Sequence, residues 1–238
     1  MAPTLLQTAA GYLGAGQGYE CAVTFDNPTK PYNLIVVTAV GASLYNVSLT
    51  GPDGFTLVRG IQVGVLKLAM WYREGAPETS TVKVRTNGPT SMQVKVKEYA
   101  GAAQANALGA VSVATSAYGY AVRTGQITNS TADAIIVAAV GNTYASTVQQ
   151  AFAGSLARLI DTVSPQNWPG GSDPDSLRTR LTIHHTITNA IRNYYLDATL
   201  TRYRSWVAII AAFKGASTGP TRMASRNGVA GEVLGGRS

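Results

Sequence analysis

Charge is what this chain has least of. Asp, Glu, Lys and Arg make up only 13% of its 238 residues. A free-living soluble enzyme usually carries about twice that share, whereas a protein whose surface is covered by neighbours does not need it. Cysteine is nearly absent. Cys21 stands alone, which excludes a disulfide framework and any Cys-based metal site. Only two histidines occur, adjacent at His184 and His185. In a strand, neighbouring side chains point to opposite faces, so the pair cannot meet at one metal. One is expected in the core and one on the surface. The longest apolar run, Trp206 to Phe213, is too short to span a bilayer. The start, Met-Ala-Pro-Thr-Leu-Leu, lacks the basic and apolar regions of a signal peptide. The chain is therefore expected to be made and used without export or membrane insertion.

Catalytic motifs are missing too. The sequence has no G-x-S-x-G, no P-loop, no H-E-x-x-H, and no G-x-G-x-x-G after a strand. The glycine-rich Gly11 to Gly18 precedes no helix and reads as a flexible leader. Nucleophile, base and orienting group cannot be nominated together, so an enzyme is not expected, and no cofactor is implied. The net charge of +7 comes from cations scattered along strands. Lys83/Arg85, Lys95/Lys97, Arg178/Arg180 and Arg202/Arg204 are spaced two apart, which places each pair on one strand face. These read as solvated outer faces. No helix-turn-helix, zinc or RNP-like pattern supports a nucleic-acid partner.

Short β-branched runs are present, and they recur. Asn33-Leu-Ile-Val-Val-Thr-Ala-Val-Gly41 is echoed by Asp133-Ala-Ile-Ile-Val-Ala-Ala-Val-Gly141. Ile35/Ile135, Val37/Val137, Ala39/Ala139 and Val40/Val140 align without a gap. Such runs read as strands buried on both faces. Ser91 to Gly101 similarly resembles Ser205 to Gly215, with Tyr99 and Phe213 each two residues before the glycine. Turn signals such as Gly51-Pro-Asp-Gly54 and Asn87-Gly-Pro89 separate strands at short intervals. The expected fold is all-β: two tandem antiparallel β-sandwich, jelly-roll-like units related by an internal repeat, with extended arms. The expected divisions are an N-terminal arm (1–18), a first unit (19–103), a linker (104–118), a second unit (119–216) and an extended C-terminal tail (217–238). The N-terminal stretch also reads as a short first strand. Tyr45 to Leu49 is expected as a half-buried strand, Leu156 to Ile160 as the counterpart of Phe55 to Arg59, and 143–155 as a short helix.

The second unit carries an insertion, residues 164–176. Trp168, flanked by Asn167 and Pro169, either packs back or meets a ligand, a sugar or a neighbouring subunit. Asp173 and Asp175 offer oxygens to a calcium ion but lack the remaining ligands of such a site, so no metal is assigned. Tyr194 and Tyr195 are candidates for an aromatic platform beside Trp168, with strand-end packing as the default. The tail, with Arg222, Arg226 and Arg237, has little to bury and reads as an arm that orders on contact.

On these paired Ile/Val strands, the closing Glu98-Tyr99-Ala-Gly101 and Ala212-Phe213-Lys-Gly215, and the Ala/Thr/Gly-rich composition, residues 19–216 resemble minor tail and related virion proteins of long-tailed phages that infect actinobacteria. The resemblance implies a non-enzymatic virion component, made in the host cytoplasm and sited at the tail or tail tip. It implies other virion proteins and copies of itself as partners, and brings no catalytic residues. Two other readings stand beside it: a carbohydrate or cell-envelope binding module that attaches to a host glycan, and a capsid decoration protein.

Overall fold

The computed structural model describes residues 2–14, 18–143, 148–149 and 179–216. Among these the protein is all-β, with several antiparallel sheets and no helix. In the first half, β1 (Thr4–Leu13), β8 (Ser91–Ala100), β3 (Asn33–Ala42), β6 (Leu66–Ala76) and β5 (Thr56–Val63) form a five-stranded sheet in the order β1-β8-β3-β6-β5. A three-stranded sheet, β2-β7-β4, comprises β2 (Glu20–Thr24), β7 (Thr81–Thr86) and β4 (Leu49–Thr50). In the second half, β9 (Leu108–Arg123) runs along the length of β15 (Asp197–Phe213). On its other side, the C-terminal part of β15 pairs with β11 (Ala134–Thr143), and its N-terminal part pairs with β12 (Val148–Gln149). β13 (Thr179–Thr188) follows β11. A small ribbon joins β10 (Ile127–Thr128) to β14 (Asn193–Tyr194).

The two large sheets pack face to face. β8 lies over β13, β6 over β11 and β15, and β5 over β15 and β9. This explains why β3 and β11 read as continuous apolar runs: all ten residues of each are buried. Alternation sorts their side chains. Leu34, Val36 and Val40 join Ile135, Val137, Ala139, Ile209 and Phe213 in the cluster between the large sheets. Ile35, Val37 and Ala39 turn the other way, onto Val82 and Val84 of the three-stranded layer. Ile136, Ala138 and Val140 likewise turn away from the first half, onto Tyr194, Leu196 and Leu200.

The gapless match between the two strands is therefore displaced by one residue in space. Ile35 and Ile135 face different cores. Leu34 and Ile135 share the cluster between the large sheets, and they pair with Tyr99 and Phe213 respectively. A slip of one position exchanges the faces of a strand, and an all-apolar run conceals which face is which. Tyr99 and Phe213 do keep the same facing, both fully buried in that cluster.

Several expectations are corrected. Most of the expected linker, 104–118, lies in β9; of the two readings of residues 1–18 the first-strand one agrees with β1, a ten-residue strand paired to β8. Tyr45 to Leu49 is mainly loop, with only Leu49–Thr50 extended. Leu156 to Ile160 and most of the expected helix 143–155 lie outside the described residues; Thr143 ends β11 and Val148–Gln149 pair as β12. Lys95 and Lys97 are not on a solvated face, being 2% and 1% exposed. Their partners across the ladder, Thr38 and Val36, place them on the side of β8 that meets the second half. By contrast, Lys83 and Arg85 are exposed as expected, paired with Glu20 at 2.8 and 3.0 Å. The hydrogen bond from Lys83, then that from Arg85, holds the Glu20 carboxyl below its ordinary range.

Gly141 sits between the two large sheets with no room for a side chain. A Cβ there would stand 2.5 Å from Cγ2 of Val40 and 3.2 Å from Cγ2 of Val207, whereas at Gly60 it would meet nothing within 4 Å. Gly141→Ala is expected to lower stability by about 1–3 kcal/mol through overpacking. Gly60→Ala in the open edge strand is expected to be neutral or slightly stabilising. Urea unfolding midpoints of the two variants check the contrast; equal midpoints would remove the tight sheet contact from the account.

Candidate functional site

Of the candidate contact and arm residues singled out in the sequence, only Tyr194 and Tyr195 are among the described residues. Asn167, Trp168, Asp173 and Asp175 lie outside the described residues, as do Arg222, Arg226 and Arg237. Tyr194 is core, 1% exposed, in the cluster with Ile136 and Leu196. Its backbone pairs with Ile127, so it serves strand-end packing and not a surface platform. Tyr195 is half-buried, with the Arg123 guanidinium 5.3 Å from its ring centroid. That cation–π contact is worth roughly 0.5–1 kcal/mol near the surface.

The histidines also divide differently from expectation. His184, expected at the surface, is 7% exposed. His185 is half-buried on the face of Leu181 and Ile183. Its Nδ1 lies 3.1 Å from Nζ of Lys97, and its ring meets Tyr99 edge-on at 5.8 Å. Beside it, Gln93 donates to Thr179 O at 2.6 Å and accepts from Leu181 N at 3.0 Å. These polar groups fasten β8 to β13 at one end of the apolar sheet contact. Glu98 works similarly on the opposite face of β8. It is 1% exposed and accepts from Gln7 Nε2, the Lys30 backbone N–H and Asn33 Nδ2 at 2.5, 2.7 and 2.6 Å. That arrangement satisfies a buried carboxylate and ties β1 and the Asn27–Pro31 turn to the sheet.

The outer side of the second half holds a group that the sequence reading missed. Tyr118, Tyr120 and Tyr203 are 65%, 53% and 50% exposed. Tyr118 and Tyr203 stack with centroids 5.8 Å apart and planes 15° apart, and Tyr120 leans on Tyr203 at 5.3 Å. The cluster arises because β9 and β15 pair across a register shift between Thr199 and Arg204. The signal available beforehand was Tyr118-Gly-Tyr120, an aromatic repeat at strand spacing; only the pairing brings Tyr203 to it. Large aromatics this open, with polar tips, are the residue type that anchors partners.

Other chemistry is sparse. Among the described residues no three His, Cys, Asp or Glu side chains gather as metal ligands. A shallow recess of about 170 Å³ opens beside Asp53, Phe55, Arg73, Lys83 and Arg85, below the size that buries a drug-sized ligand. Cys21 is 2% exposed, and burial pushes its thiol up to about 11. No protein-family model, curated protein or solved structure matches the chain.

The thiolate is the reactive form of cysteine. Cys21 is therefore expected to stay unreactive toward a disulfide reagent at pH 8 in the folded protein and to react fully after denaturation. Rapid labelling of the native protein would contradict the burial of β2.

Proposed function

We propose that this chain is a non-enzymatic structural component of a phage particle, a minor tail or tail-tip protein that assembles through its sheet edges and terminal arms. The observation that carries the reading is the doubled strand order. The first half runs β1-β8-β3-β6 beside β2-β7-β4. The second half runs β9-β15-β11-β13, with the end of β9, the start of β15 and β12 taking the places of β2, β7 and β4. This order supports two jelly-roll-like sandwiches derived from one β unit, joined by a displaced repeat. Jelly rolls recur in viral shells and lectins. Proteins built from them work by presenting surfaces, and the low charge of this chain suits surfaces that become covered. Other virion proteins and further copies of the chain are the partners that this reading names, and the virion is its location.

Immunogold electron microscopy on intact particles tests it, with one antibody against residues 217–238 and another against the second half. Label at the tail end is the expected result. Label over the head would favour a capsid decoration protein. Absence of label, with the protein free in the lysate, would overturn the virion reading.

One observation favours a second reading, attachment to a cell-envelope glycan. The open tyrosine cluster offers flat apolar faces with hydroxyl tips, suited to sugar rings. On that reading, Tyr118→Ala with Tyr203→Ala lowers binding to host envelopes at least tenfold and leaves the fold unchanged by circular dichroism. Unaltered envelope binding would remove the cluster from attachment.

A further inference from the structure

The edges of the sheets are not alike. Backbone N–H and C=O groups on an edge strand invite another strand, and proteins usually blunt them with charge, proline, a bulge or shortness. Most edges here are blunted. β5 carries the exposed Arg59 at a register shift, β2 carries Glu20, β13 carries Arg180, and β4 is two residues long. β9 is the exception. From Leu108 to Val122 it has no charged residue and no proline. Both of its faces are used: Leu108, Val111 and Val113 pack toward the first half, while Ala110 and Ala114 pack on the core of the second. Among the described residues β9 pairs only with β15. A long strand thus packs on both halves between Leu108 and Ala114 and, among the described residues, has a partner on one side alone.

β1 shares this character. Thr4 to Gly11 has no charge or proline, and among the described residues β1 pairs only with β8. The two strands stand at opposite ends of the stacked sheets. β1 lies beyond β8, at the end where β8 covers β13; β9 lies at the other end, under β5.

We propose that the protein assembles head to tail, with the open edge of β9 in one copy pairing antiparallel with the open edge of β1 in the next. The second half of one copy then continues into the first half of its neighbour as a single sheet. The occupant is a second copy because, among the described residues, each edge has a strand on one side alone and supplies the partner that the other can take. Both are long, uncharged and free of proline, and they sit at opposite ends of one molecule. Such an interface is heterologous, so it propagates into a ring or a filament and does not stop at a dimer. The proposal deepens the assembly reading above by naming the surfaces.

The test uses full-length chains and light scattering after size exclusion. Wild type at tens of micromolar is expected to exceed the 24.9 kDa chain mass by whole multiples. Thr4→Lys with Leu6→Lys charges β1, and Thr115→Lys with Ala117→Lys charges β9; all four side chains are exposed. Each double variant alone is expected to be a monomer. Mixed, they are expected to give a 1:1 dimer, because one retains β9 and the other retains β1. A monomeric wild type overturns the proposal. So does persistent self-association of either variant, which indicates pairing of like edges. A measurement on wild type guards against misfolded variants. Hydrogen–deuterium exchange in 4–11 and 108–123 is expected to slow with rising concentration; association without that protection overturns the proposal as well. Failure here leaves the particle reading standing on its microscopy. Absence from particles leaves measured self-association standing.

Discussion

The apolar contact between the two large sheets is the constraint from which the rest follows. Sandwich units of this size bury only about 60–65% of their unfolded surface and are marginal alone. Here each large sheet has a second sheet to cover. β3 and β11 consequently lie at the centre of a layered stack, not at the wall of a single sandwich. Their side chains feed two cores at once, one within each half and one between the halves. Tyr72 and Phe213, with ring centroids 5.5 Å apart, close the shared core from opposite sheets.

Two long polar side chains of β8 are buried with their partners in place. Gln93 bridges to the backbone of β13 at both ends of its amide, and Glu98 gathers three donors. Each would be costly to bury without those partners. They give the contact between sheets a register that an apolar surface alone would not specify. Glu20, Asp53, Lys83 and Arg85 form an ion-pair group on the small outer layer of the first half. The outer side of the second half carries the stacked Tyr118, Tyr120 and Tyr203.

Much of the strand order was legible in residues. The runs Asn33 to Gly41, Ser91 to Gly101 and Asp133 to Gly141 fall on β3, β8 and β11, and Ser205 to Gly215 closes β15. Alternation, β-branching and glycine or proline turns report local geometry, and these strands obey local rules. β9 escaped because Ala, Gly and Ser between Leu108 and Tyr120 resemble a linker, having too little apolar contrast to show a period. Its strand character comes from β15, which supplies the hydrogen bonds. Lys95 and Lys97 misled for a related reason. Spacing by two shows a shared face and leaves open whether that face meets water or another sheet.

What the sequence determined by itself was the class of structure: antiparallel strands with two doubly buried centres. Those follow from composition and period, which need no knowledge of distant contacts. Tertiary structure decided which side of each strand meets which core. It moved Leu34 opposite Ile135, buried Tyr194 and His184, and brought Tyr203 to Tyr118 and Tyr120. The physical reason is that a strand's two faces are equivalent until a layer packs on one of them. Stacking the sheets broke that equivalence and set β1 and β9 at opposite ends of the stack.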